Sequence, residues 1–440
     1  MKPSSSILLL FALASSLPAA DKPNILVMVA DDLGYADVGY QGCKDVPTPH
    51  IDALARNGVR FTNGYVTAPL CSPSRAGLLT GRSGTRFGFE FNVGGSDKGG
   101  KNQAGIPVSE KLISERLKEA GYATGMFGKW HVGFKPKLAP VGRGFDEWEC
   151  FFGACRSYFP GGQDDVIHDG KKVKGYDYTT TLFARDASAF IEKHREQPWF
   201  VYLPFPAVHG PLDAPEALLK RFSHLSGKRR AFAGMLTAMD EGIGAVMETL
   251  RKCGLEESTL VFFVSDNGGP TSDNTSRNDP LTGSKGQLQE GGIREPFIMH
   301  WRGHAPAGKV FDQPVSTLDI LPTALAAAGA PKDAQLDGVD LLPYVTGEKM
   351  DAPHDALGWR FGEQRAVRKG DWKLLDMGQG WKLYNLANDI AEKHDLAQQE
   401  PDKVKQLEAA YQEWNARNVP AKWRMHGVLT EYGKKTMGNK

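Results

Sequence analysis

The sequence predicts an α/β fold: a large, mixed, mostly parallel sheet sandwiched by helices, with a smaller C-terminal antiparallel sheet plus a helix. Three observations carry this expectation. Apolar runs at 24–32, 199–210 and 259–269 have the length and composition of strands buried on both faces. Helical patterns stopped by glycine alternate with them, at 48–58, 108–121 and 230–254. The segment 357–386 instead alternates apolar and polar residues between Gly and Asp turn signals.

Taken in order, the chain opens on Lys2, an apolar stretch from Ile7 to Leu17, Pro18, and the small residues Ala19 and Ala20. That is the pattern of an export signal, so residues 1–20 are read as a leader and the mature chain as starting near Asp21. The stretch is too short to span a bilayer, and no later run is long enough. The first strand, NILVMVADD, ends on Asp31 and Asp32. In the segment 67–82, TAPLCSPSRAGLLTGR, Ser72 is a good N-cap, Pro73 a good first helical residue and Gly81 a stop. A glycine-rich loop at 93–106 is the nearest approach to low complexity, and no repeat is present. The second strand closes on His209 and the third on Asp266 and Asn267, while residues 402–418 read as a terminal helix. The expected division is a leader at 1–20, a catalytic domain at 21–345 and an α+β subdomain at 346–440.

In parallel sheets of this kind ligands bind at the carboxyl ends of the strands, which is where these polar residues sit. Fifty-three basic and fifty-two acidic residues give a net charge of +1, so no global field announces nucleic acid or an anionic membrane. An anionic substrate must be attracted locally. Five cysteines, Cys43, Cys71, Cys150, Cys155 and Cys253, leave at least one unpaired within the chain; Cys150 and Cys155 are close enough in sequence to bridge.

Asp31 with Asp32 is either a helix cap with a solvated neighbour or part of a hard-cation site. Asp266-Asn267-Gly268-Gly269 is either a tight turn or the carboxylate and amide oxygens that Ca²⁺ and Mg²⁺ prefer, and no zinc spacing of Cys and His competes. In GMFGKWHVG, Lys129 and His131 stand two apart, on one side if extended. Pro206 and Pro211 bracket His209, and Lys285 sits among glycines. A helix beginning beside Cys71 points free amides at it, with Arg75 one turn in, and would favour a thiolate of lowered pKa. The constellation suits an anion.

These residues resemble the type I sulfatase family, formylglycine-dependent enzymes of the alkaline phosphatase superfamily, in the N-acetylgalactosamine-6-sulfatase and arylsulfatase manner. CSPSR at 71–75 with LLTGR behind it is similar to the family signature for oxidising a cysteine to Cα-formylglycine. DVPTPHIDALARNGVRFTNGYV, GKWHVG, PAVHGP, SDNGG and KGQLQEGGIREP resemble family blocks in the same order over residues 22–345, and WKLYNLANDIAEKHDLA resembles the carboxy-terminal element. The resemblance implies an alkaline phosphatase-like fold and one divalent cation, Ca²⁺ before Mg²⁺, held by Asp31, Asp32, Asp266, Asn267 and modified Cys71. It implies that Arg75 and Lys129 hold a formylglycine hydrate, that His131 acts on its second hydroxyl, and that His209 and Lys285 bind the sulfate and assist the departing alkoxide. A formylglycine-generating enzyme is the implied maturation partner and a sulfated carbohydrate the implied substrate. Phe87, Phe89, Phe91, Tyr158 and Phe159 could stack on sugar rings, and Arg86, Lys98, Lys101 and Arg156 could meet further sulfates. The rivals are a phosphoester or phosphonate hydrolase of the same superfamily and a non-catalytic polysaccharide-binding protein. Asn274-Thr275-Ser276 matches a glycosylation sequon, with a polar loop as the plainer meaning.

Overall fold

The computed structural model describes residues 22–94, 102–161, 165–425 and 428–437. The expected leader, Lys98 and Lys101 lie outside the described residues. In chain order the strands are β1 Asn24–Ala30, β2 Val59–Phe61, β3 Gly64–Tyr65, β4 Ala123–Lys129, β5 Glu147–Phe151, β6 Ile167–His168, β7 Lys171–Lys172 and β8 Trp199–Pro204. They continue with β9 Thr259–Ser265, β10 Phe297–His300, β11 Lys309–Phe311, β12 Val315–Ser316, β13 Leu357–Phe361, β14 Gln364–Lys369, β15 Trp372–Asp376 and β16 Trp381–Asn385.

Ten of these form the main sheet, in the order β11-β2-β10-β9-β1-β8-β4-β5-β6-β7. Its centre is parallel: β1 lies between β8 and β9, and β4 pairs with β8 and β5 in the same direction. The strand β10 runs antiparallel to β2 and β9, and the β6–β7 hairpin adds an antiparallel edge. The expected mixed, mostly parallel sheet is therefore present. Every residue of β1, β8 and β9 is buried, because helices cover both faces. Alternate residues of β1 serve two cores. Ile25, Val27 and Val29 pack on one face with Phe200 and Phe262, while Leu26 and Met28 pack on the other with Val201 and Phe263.

The helix Gly227–Lys252 covers the second face and starts a few residues before the expected 230. The helix expected over 108–121 is shorter, Ile113–Glu119, because the Glu115 carboxylate reaches back to accept from the Leu112 amide at 2.8 Å and fixes the start there. The four strands β13 to β16 make an antiparallel meander, and the helix Pro401–Ala416 packs against it through Leu407 and Tyr411. Cys150 and Cys155 do not bridge: Cys150 is a free thiol buried in β5. No helix among the described residues is long and apolar enough to cross a membrane.

Candidate functional site

The adjacent parallel strands β9, β1, β8 and β4 all end on one edge of the sheet, and each delivers side chains there. Asp31 and Asp32 follow β1, Lys129 closes β4, His209 follows β8, and Asp266 and Asn267 follow β9. Backbone bonds lock these ends together. The Asp31 amide donates to Ala207 O at 2.9 Å, the Val208 amide to Asp31 O at 2.7 Å, and the Asp266 amide to Ala30 O at 3.0 Å.

Cys71 arrives differently from the expectation. The helix runs Cys71–Thr80, so Cys71 is its first residue, Leu70 occupies the cap position, and Ser72 is not the N-cap. The reason lies outside the helix: the Ser72 amide donates to Asn92 Oδ1 at 3.0 Å, so Asn92 does the work expected of a local serine. Gly81 ends the helix with φ 64°, as its sequence position implies.

Lys285 comes from a loop pressed on the β9 end by paired glycines. A Cβ on Gly268 would lie 2.0 Å from Gly291 O, so only glycine lets the two backbones meet and the Gly268 amide reach Gly292 O at 3.2 Å. The C-terminal sheet grips the same loop. Gln364 donates to Gly286 O and accepts from the Leu288 amide, each at 2.9 Å. Buried Lys373 pairs with Glu290 Oε1 and Glu392 Oε1, each at 2.8 Å.

Three carboxylates and three cations interleave in the resulting cleft. Lys129 Nζ is 2.6 Å from Asp31 Oδ2, and Lys285 Nζ is 2.7 and 2.8 Å from the two oxygens of Asp32. Arg75 Nη2 lies 2.7 Å from Asp266 Oδ2 and 3.8 Å from Asp31 Oδ2, while its Nη1 donates to Lys129 O at 3.1 Å. Cys71 Sγ lies 3.6 Å from Asp31 Oδ1. Asn267 Nδ2 donates to Asp32 Oδ1 at 2.8 Å, leaving its Oδ1 buried without a partner. The floor is sealed, with Arg75 and Lys129 fully buried. The side chains of His209 and Lys285 are 21% and 17% exposed and form the mouth.

His131 reaches the site by a turn rather than by strand periodicity. The strand β4 stops at Lys129, and His131 takes φ 55°, so the expected extended spacing does not apply. Its Nε2 lies 3.3 Å from Gly94 O and its Nδ1 is buried without a partner. With Nε2–H donating, Nδ1 carries a bare lone pair. Burial, then Lys129 and Arg75, hold the imidazole well below the usual histidine range, so it is neutral. Asp32 also sits in the left-handed region, φ 64°. Strain at such non-glycine positions is a mark of functional sites.

Electrostatics within the cleft are divided. Burial works against the charge of Asp32, yet Lys285, His209 and Lys129 outweigh it and hold the carboxyl well below the ordinary range. Burial pushes His209 down to about 4 against the pull of Asp32, whose Oδ2 is 3.6 Å from Nε2; Nδ1 faces Gly210 O at 2.7 Å. The expected lowering at Cys71 does not occur. Burial pushes the thiol up to about 12 and outweighs Lys129 and Lys285, because a thiolate there would also face Asp266 and Asp31.

Several residues considered for substrate contact are structural instead. Phe87, Phe89 and Tyr158 are buried, Phe89 against Trp423 and Tyr158 against Tyr178. Arg86 is clamped on Asp337 at 3.0 Å, and Arg156 is buried with its Nε on Ser157 O at 2.7 Å. Phe91 and Phe159 remain half-buried. Sequence reasoning missed Asn92 and Ser265; the Ser265 hydroxyl accepts from the Leu33 amide at 3.1 Å and donates to Asn267 O at 3.0 Å. Asn274 is not a surface sequon: it is buried, and its amide donates to Asp32 O at 3.1 Å and Val208 O at 3.3 Å.

The donor chemistry fits a hard divalent cation: Asp31, Asp32, Asp266 and the orphaned Asn267 Oδ1 offer only oxygen, at the point where like charges most need neutralising. Asp31, Asp32, Cys71 and His209 each bring a ligating atom within 4.8 Å of the others.

Comparison with known proteins places the chain in a family. The sulfatase family profile matches residues 23–330, and the profile of the N-sulphoglucosamine sulphohydrolase C-terminal region matches 284–416. The mouse (Mus musculus) N-acetylgalactosamine-6-sulfatase is 34% identical over 84% of this chain and 76% of its own. Human (Homo sapiens) arylsulfatase A is 37% identical over 77% of this chain and 71% of its own. Among solved structures, Ps i-CgsB in complex with k-i-k-neocarrahexaose superposes with a TM-score of 0.87, at 37% identity over 94% of this chain and 96% of its own.

Proposed function

The chain belongs to the sulfatase family and is a sulfuric ester hydrolase, and on that premise we propose that it is exported and removes sulfate from sulfated carbohydrates. In this reading Cys71 is matured to Cα-formylglycine by a formylglycine-generating enzyme. One divalent cation, Ca²⁺ in preference to Mg²⁺, sits among Asp31, Asp32, Asp266, Asn267 and residue 71. The observation that carries the proposal is the convergence of these oxygen donors, one with its Oδ1 orphaned, on the first residue of a buried helix. The carbohydrate is supported by the names of the relatives, an N-acetylgalactosamine-6-sulfatase and a protein solved with neocarrahexaose. The start of the four-stranded sheet at Leu357 supports dividing the chain into a catalytic part, 21–345, and a C-terminal subdomain, 346–440.

A sulfate ester resists hydrolysis because its oxygens repel a nucleophile and its alkoxide leaves poorly, so neutralisation and acid catalysis are both required. The cation, when bound, would polarise a sulfate oxygen and offset charge developing on it. The formylglycine hydrate would supply two hydroxyls on one carbon, one as the nucleophile toward sulfur and one whose proton could be given up to let sulfate leave. The chain's own residues do the rest. Arg75 and Lys129, fully buried, fix the oxygens at position 71 and pair with Asp266 and Asp31 beside them. His131 Nδ1, bare and unpartnered, takes the proton of the second hydroxyl. At the mouth, Lys285 meets the sulfate oxygens. His209 holds its ring through Nδ1 and presents Nε2 to the leaving oxygen. An arriving anion favours the imidazolium, and Nε2–H then donates to the alkoxide.

The test is the mass of the tryptic peptide Phe61–Arg75 from protein made with a maturation enzyme, together with rates on sulfate and phosphate esters. A mass deficit matching thiol replaced by aldehyde, with sulfate esters turned over faster, is the expected result. An intact thiol, or a clear preference for phosphate, overturns the proposal. Cys71→Ala abolishes turnover and keeps the fold.

A further inference from the structure

A second convergence of ligating groups lies at the edge of the main sheet and shares no residue with the active site. Glu149 on β5, His168 on β6 and Asp186 on the helix Thr179–Lys193 each bring one ligating atom within 4.8 Å of the other two. The fold explains the meeting. Glu149 and His168 are directly opposed partners in the antiparallel β5–β6 pair, so their side chains share a face. Two residues along β5, Phe151 points to that same face and stacks on Phe183, at 6.4 Å between centroids and 25° between planes. Phe183 lies one helical turn before Asp186, which brings Asp186 over Glu149.

Glu149 is 1% exposed, and its Oε1 is buried with no hydrogen-bond partner. A buried carboxylate oxygen left unmatched is costly unless something fills its coordination. Its Oε2 lies 3.4 Å from His168 Nδ1. Two ligands on one tetrahedral Zn²⁺, with bonds of about 2.1 Å, stand about 3.4 Å apart. The other ring nitrogen of His168, Nε2, faces Asp169 Oδ2 at 3.7 Å. Asp169 is itself fixed by accepting from the Trp148 amide at 2.9 Å. A carboxylate behind the imidazole is an arrangement usual around metal-ligating histidines. Asp186 is held from the side by Arg185, at 2.6 Å to Oδ1 and 3.1 Å to Oδ2, and each of its oxygens keeps a second lone pair.

We propose that Glu149, His168 Nδ1 and Asp186 form a site for one divalent transition-metal ion of the Zn²⁺ type, a staple between the edge hairpin and the covering helix. Mixed imidazole and carboxylate donors suit Zn²⁺, whereas the all-oxygen set of the active site suits Ca²⁺, so the two sites discriminate by ligand chemistry.

The experiment titrates Zn²⁺ into full-length Cys71→Ala protein by calorimetry, after EDTA treatment and in saturating Ca²⁺, so that neither the thiol nor the hard-cation site competes. Binding of one equivalent at micromolar or tighter affinity is expected. His168→Ala, whose side chain is 46% exposed and tolerates removal, weakens that binding at least tenfold, as does Glu149→Gln. In otherwise unaltered protein, His168→Ala leaves Ca²⁺-supported sulfate release unchanged. Absence of Zn²⁺ binding in the presence of Ca²⁺, as when Glu149 and Asp186 merely share a proton, overturns the proposal. Equal affinity in the His168→Ala protein does so as well.

Discussion

Replacing Lys373 by methionine tests how the C-terminal sheet holds the catalytic loop. The lysine is wholly buried, and its ammonium is 2.8 Å from both Glu290 Oε1 and Glu392 Oε1. Glu290 keeps other partners, Tyr65 OH at 2.6 Å and Arg294 Nη1 at 3.3 Å. Among the described residues Glu392 then keeps only the Glu290 amide, at 2.7 Å, so Lys373→Met leaves it as a buried carboxyl group without a cation. Breaking a buried pair from one side costs about 3–5 kcal/mol, which lowers the folded-to-unfolded ratio about a hundred- to several-thousand-fold. Glu392→Gln leaves Lys373 paired with Glu290 and costs about 1–3 kcal/mol. The double variant Lys373→Met/Glu392→Gln removes the stranded charge, so its loss falls short of the sum by about 1–3 kcal/mol. Urea unfolding followed by fluorescence and by activity measures all three, with coincident transitions as the check on two-state behaviour. A loss below about 1 kcal/mol for Lys373→Met, or additivity within about 0.5 kcal/mol, would refute the reasoning.

Other consequences are as direct. Gln364→Ala removes the clamp on Gly286 and Leu288 without touching the cleft, so KM for a sulfate ester rises about threefold to tenfold with kcat less affected; an unchanged KM in steady-state assays sinks this. Cys71 in metal-free protein made without a maturation enzyme resists iodoacetamide at pH 7.5, because burial pushes the thiol up to about 12 and leaves it 1% exposed, whereas exposed Cys155 is alkylated. Peptide mapping showing both labelled at equal rates contradicts that. His209→Gln lowers kcat about 10²–10⁴-fold on a sugar sulfate, whose alkoxide needs a proton, and far less on a nitrophenyl sulfate, whose phenolate does not. Equal losses on the two substrates remove His209 from the role of acid.

The parallel centre of the sheet was legible because β1, β8 and β9 are buried on both faces and so are written as unbroken apolar runs. Strand β4 was not read from the sequence, since ATGMFGK carries two glycines and no apolar run. Asp31, Asp32, Asp266 and Asn267 announced themselves as polar residues closing strands. The helix start was misjudged by two residues because the group satisfying the Ser72 amide is Asn92, twenty-one positions from Cys71 and invisible to a local capping rule. The lowered thiol pKa was misjudged for a related reason. The helix and its nearby cations can be read from the chain, but the closure of β1, β4 and β9 over Cys71, which makes burial the larger effect, cannot. Arg86, Arg156, Phe87, Phe89 and Tyr158 were misplaced at the sugar because composition does not distinguish a side chain meeting solvent from one that is buried or, like Arg86, locked on a carboxylate.

Every residue of the helix Cys71–Thr80 is buried, and this constrains the order of events in the life of the chain. A visiting oxidase cannot reach Cys71 once β9 has docked on β1, because the strand ends that carry Asp31 and Asp266 then close over it. That docking must wait until Ser265 has been synthesised. Between the emergence of Arg75 and that point lie roughly 190 residues, about 10–40 s of translation at ordinary rates. If Cys71 is matured as proposed, maturation is a race against folding, timed by the spacing between Arg75 and β9. A variant that folds faster, or is expressed where the oxidase is scarce, would emerge stable, correctly shaped and inert.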